Sequence, residues 1–135
     1  MKRLFSILII TLLFSCSEDD NISVNENNFY GTWEEVSFTT DGETNVINDC
    51  SLGFDLSTTY NFTGSGAFTS HGTCDTEEDR GSGSYTVSGE YLTLNYSNKT
   101  EKYKVNFVNT QKARINRVDP ETNIADDGYT TIEKE

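Results

Sequence analysis

The chain has 135 residues, the length of one domain. It carries 22 acidic against 10 basic residues, net −12, which excludes a nucleic-acid binder working through phosphate contacts. A single His and three Cys leave few ligands for an ordinary zinc site; one Pro and ten Gly exclude collagen-like and proline-rich chains.

Lys2 and Arg3 precede an apolar run from Leu4 to Phe14, broken only by Ser6 and Thr11. As a helix this run spans about 16 Å, short of the ~30 Å hydrocarbon core of a bilayer. Residues 1–15 therefore read as a signal peptide rather than a membrane span.

The run ends in Leu13-Phe14-Ser15-Cys16, which resembles a bacterial lipobox. The resemblance implies diacylglycerol on the Cys16 sulfur, cleavage before Cys16, and acylation of the new amino terminus by a fatty acid such as palmitate. Several acyl chains anchor a protein stably where one does not. Ser17-Glu18-Asp19-Asp20 follows and resembles the export signal of Bacteroidota surface lipoproteins. That implies a place on the outer membrane, facing the medium. Lys2 and Arg3 leave with the signal, so the remaining 120 residues hold 8 basic and 22 acidic ones, net −14. Residues 16–28 are polar, acidic and Asn-rich, with Ile22 and Val24 the only aliphatic residues, and read as a flexible tether.

Lipidation of Cys16 leaves Cys50 and Cys74. In an oxidising compartment the default is a disulfide between them. The alternative is a redox pair or a metal site, but the spacing is far from C-x-x-C and His71 is the only imidazole.

The domain, 29–135, is rich in Thr and aromatic residues and poor in Ala and Leu, a strand-like composition. Alternation replaces helical periodicity. Phe54, Leu56, Tyr60 and Phe62 share one parity; so do Leu92, Leu94 and Tyr96; Tyr103, Val105 and Phe107; Ala113 and Ile115. Turn signals separate the runs at Asp41-Gly42, Gly64-Ser65-Gly66, Ser88-Gly89-Glu90, Ser97-Asn98-Lys99 and Asp127-Gly128. About eight strands are predicted, near 31–39, 54–62, 66–71, 82–88, 90–96, 102–108, 112–118 and 128–133. Short links favour an all-β, antiparallel, up-and-down barrel.

Gly31-Thr32-Trp33 at the first strand, Gly83-Ser84-Tyr85 in a later one and Leu92-Thr93-Leu94 after it resemble the lipocalin-like domains of Bacteroidota lipoproteins. Those domains often carry Cys at the two positions seen here. The resemblance covers 29–135. One departure is that no late basic residue clearly pairs with Trp33 as in true lipocalins; Arg114 and Arg117 are the candidates to stack on it.

Chemistry is sparse. His71 reads as an exposed strand-end residue, and without it no Ser-His-Asp set exists. Glu34 and Glu35, adjacent on a strand, point to opposite faces; an enzyme would need a buried carboxylate of perturbed pKa in a cleft, and none is expected. The Asp75–Asp79 stretch lacks the Gly and Glu of a calcium loop. Gly64-Ser65-Gly66 and Gly81-Ser82-Gly83 read as turn or bulge glycines. Residues 16–79 hold 14 acids and no base, whereas Lys99, Lys102, Lys104, Lys112, Arg114 and Arg117 cluster on two neighbouring strands. That cluster reads as cross-strand pairing, with an anion-binding face as the alternative. No metal, cofactor or nucleic acid is expected. The expected function is a non-enzymatic binding module, holding a small apolar ligand among Trp33, Tyr60, Phe62, Tyr85, Tyr103 and Phe107. The alternative is a surface protein meeting a protein or glycan through its outer face or loops.

Overall fold

The computed structural model describes residues 22–47, 50 and 57–135. The signal peptide, Cys16, Phe54 and Leu56 lie outside the described residues. The elements are α1 (Glu26–Phe29) and nine strands: β1 (Gly31–Thr40), β2 (Glu43–Val46), β3 (Thr58–Phe62), β4 (Ala67–Gly72), β5 (Asp79–Ser88), β6 (Tyr91–Tyr96), β7 (Thr100–Asn109), β8 (Lys112–Val118) and β9 (Tyr129–Lys134). Each strand pairs antiparallel with its neighbour, and β1 also pairs with β9 from Trp33↔Lys134 to Thr39↔Tyr129. Eight strands thus close into a barrel, and closure removes the exposed edges of an open sheet.

β2 is the extra strand. The Asp41-Gly42 turn sends the chain back along the upper part of β1, from Thr40↔Glu43 to Ser37↔Val46. All four β2 residues are exposed, so no buried face marks it in the sequence. β1 therefore serves three partners: β3 along Gly31–Glu34, β2 along Ser37–Thr40, and β9 on its other edge.

The barrel has an α1 end, with the β5–β6 and β7–β8 turns, and a loop end, with the 73–78, 97–99 and 119–128 connections. At the α1 end Phe29 enters the interior and is fully buried with Trp33. Its ring lies 5.6 Å from Phe62 and 5.3 Å from Phe107, tilted or edge-on, the preferred aromatic geometries. Tyr85 meets Phe62 edge-on at 5.0 Å. The Trp33 indole N–H donates to the Phe29 carbonyl and the Tyr85 hydroxyl to the Thr63 carbonyl, so both buried polar tips are satisfied. Leu92, Leu94, Val105, Ala113, Ile115 and Ile132 complete this core.

The late base over Trp33 is Lys134, not Arg114 or Arg117. Its Nζ lies 5.6 Å from the indole ring, placed there by the β1–β9 register. Arg114 has the opposite parity to the buried Ala113 and Ile115, and stacks on Tyr129 instead. Residues 22–28, read from sequence as part of the tether, lie against the barrel: Ile22 and Val24 pack on the core.

The disulfide joins Cys50 to Cys74, bridging the β2–β3 and β4–β5 connections at the loop end. Most of the basic cluster is paired: Lys99 with Glu101, Lys104 with Glu90, Lys112 with Glu133, while Lys102 sits over the Tyr91 ring. Lys112 and Lys102 are thus held across strands, and Lys99 and Lys104 by turn-side carboxylates.

A candidate binding chamber at the loop end

Above the aromatic floor the interior changes character. Glu35 on β1, Tyr60 on β3, Tyr96 on β6, and Glu101 and Tyr103 on β7 form a polar group linked by hydrogen bonds and charge. Parity places them. Trp33 faces in, so Glu35, two residues on, faces in too, and the bulge between Glu35 and Ser37 falls just beyond it. Tyr60 shares the inward parity of Phe62, and Tyr103 that of Val105 and Phe107.

Glu35 is the centre of this group. One carboxylate oxygen accepts from the Tyr60 hydroxyl at 3.1 Å and the other from the Thr58 amide at 3.0 Å. Burial raises its pKa above the ordinary 4.5; the two hydrogen bonds and the Arg80 charge partly offset that. Arg80 reaches inward beside the β4–β5 bulge and donates to the Thr58 hydroxyl at 3.2 Å. Tyr103 donates to Glu101 at 3.0 Å. Burial, then the nearby Glu101 charge, raises the Tyr103 pKa; the same two causes bring Tyr96 to about 12.

The expectation of no buried, perturbed carboxylate is corrected in part: Glu35 is half-buried and its pKa is raised. The signal was present in the sequence. If Trp33 faces the core, one of Glu34 and Glu35 must as well, and two-residue alternation selects Glu35.

A recess of about 270 Å³ opens beside Glu35 at the loop end, lined also by Phe38, Tyr103, Ile115, Arg117, Asp126, Asp127, Tyr129 and Thr130. A second, of about 280 Å³, adjoins it through Arg117 and Asp126, with Glu101 and Asp119 in its wall. The six residues expected to hold a ligand divide accordingly. Trp33, Phe62, Tyr85 and Phe107 pack on one another or on Phe29 in the floor. Tyr60 and Tyr103 reach the polar chamber, and Tyr103 lines the recess. His71 is half-buried on β4, with parity opposite to the buried Phe68 and Ser70. Among the described residues no three His, Cys, Asp or Glu side chains converge as a metal site.

The closed eight-strand antiparallel barrel is consistent with a lipocalin-like fold. Neither a protein-family model nor a curated protein sequence matches the chain.

Proposed function

We propose that this protein is a non-enzymatic binding module of the cell envelope, anchored by lipid on Cys16, of the Bacteroidota lipoprotein type, and displayed on the outer membrane. Its ligand is a small molecule taken at the loop end. One observation carries the reading: a polar ring with a half-buried carboxylate stands over a solid aromatic floor and beside an open recess. At about 270 Å³ the recess is near the low end of ligand pockets, which run from about 300 to 1,000 Å³. Phe38, Tyr103 and Ile115 offer apolar surface to the body of a ligand, and Glu35 offers a fixed acceptor to its polar end.

Binding fits these groups better than turnover. Each Glu35 oxygen already accepts a hydrogen bond from a strand amide or a buried phenol, and the one imidazole points away from the chamber. The rival docking role needs a contiguous apolar patch. The exposed large apolar residues among those described are Phe38, Val46, Val108 and Ile124, spread over three strands and a loop.

The test is a thermal-shift and tryptophan-fluorescence screen with small amphipathic molecules, on wild type and Tyr103→Ala. Binding that Tyr103→Ala weakens supports the reading; no binding by any compound counts against it. Mass analysis of native material checks the anchor, which requires added acyl mass at Cys16.

A further inference from the structure

We infer that the ligand of the loop-end recess is a small organic cation, a protonated amine carrying an apolar body, seated with its ammonium group on Glu35. The inference rests on the binding-module reading above and adds the ligand's chemistry. It begins with acceptor capacity. An ionised carboxylate offers about four acceptor positions; the Tyr60 hydroxyl engages one oxygen, and Thr58 engages the carboxylate through its amide and its hydroxyl. Glu35 lines the recess, so its remaining capacity is available to a donor arriving there. An ammonium group brings three donors and no acceptor.

The walls fit the same class. Phe38 and Tyr103 present aromatic surface, which attracts cations and repels anions through the ring quadrupole. Asp126 and Asp127 stand at the rim, so three carboxylates meet one base, Arg117, in the lining. Arg80 faces Glu35 from the other side but is engaged by Glu78 and Thr58, and Arg117 is exposed and can turn to solvent. The whole chain adds to the bias: at net −12 it concentrates cations at its surface and disfavours anions.

Three probes of one shape and different charge separate the possibilities: 2-phenylethylammonium, 2-phenylethanol and phenylacetate. Calorimetry on the wild-type protein at neutral pH should give the cation at least about tenfold tighter binding than the alcohol, with phenylacetate weakest. Glu35→Gln should erase the gap between cation and alcohol while leaving alcohol binding in place. Asp126→Asn with Asp127→Asn should weaken the cation less and make its binding less salt-dependent. Should Glu35→Gln fail to fold, the wild-type ranking decides by itself. Equal binding of cation and alcohol, or preference for phenylacetate, overturns the inference but leaves a binding module. Binding by none of the three, together with silence in the broader screen, removes both.

Discussion

Two residues show how closely single positions are constrained. Gly83 lies inside β5, not in a turn, and a Cβ there would overlap the carbonyl of Asn95 and press on Phe68. Its glycine is demanded by close approach to β6, at ordinary strand φ. Gly83→Ala should therefore cost about 1–3 kcal/mol, the usual price of overpacking a filled interior. Urea unfolding gives the value, and a loss under half a kilocalorie would contradict the crowding. Glu35 is constrained by charge. Its folded pKa lies above 4.5, so the native state binds the extra proton as pH rises past that value. Its contribution to stability is full below pH 4.5 and is lost as pH climbs through the raised value. The wild-type stability minus that of Glu35→Gln should thus fall with rising pH over this window. A difference that rises, measured by urea unfolding at a series of pH values, would reverse the sign of the burial effect.

At the scale of elements, the disulfide and the strand set behave differently under sequence reading. Cys50 and Cys74 are 24 positions apart, and cross-linking a loop of that length restricts the unfolded chain by roughly 3.5 kcal/mol in the chain-entropy model. Replacing both by Ser should lower stability by about 2–4 kcal/mol. The change should also loosen the loop end more than the α1 end, since the bridge ties two loop-end connections. Amide exchange measured strand by strand checks this; uniform loss of protection would contradict it. Strands such as β4, β6, β7 and β8 were legible because each buries alternate residues, and alternation writes that face into the sequence. β2 was not, because a strand exposed at every position leaves no alternation to read. Lys134 over Trp33 was not legible either, since it depends on how β9 registers on β1, a contact between the two ends of the domain. The polar chamber lay between these cases. Glu35 follows from the parity of Trp33, but its bonds to Tyr60 and Thr58 require β1 and β3 to be neighbours, which strand order alone reveals.

On the whole molecule, docking of residues 22–28 changes what the proposed anchor permits. Ile22 and Val24 lie in a groove with Gly89, Lys104 and Phe107, beside the β5–β6 turn at the α1 end. Cys16 and Ile22 are six residue steps apart, which span at most about 20–22 Å. β1 has ten residues, and strands tilted by about 40° give the barrel a height near 25 Å. A barrel held by its α1 end on so short a leash cannot invert far enough to lay its loop end flat on the same bilayer. On the proposed anchor the recess would face the aqueous side, and a ligand would arrive through water rather than directly from the lipid. In vesicles carrying the lipidated protein, a fluorophore at Val108, near the α1 end, should be quenched strongly by spin-labelled headgroups. One at Ile124, in the loop between β8 and β9, should be quenched weakly. Equal quenching at both sites would mean that Ile22 and Val24 leave their groove on the membrane. Lengthening the tether by a dozen Gly-Ser residues after Asp20 should then bring the two signals closer together, since the leash, and not the barrel, sets the orientation.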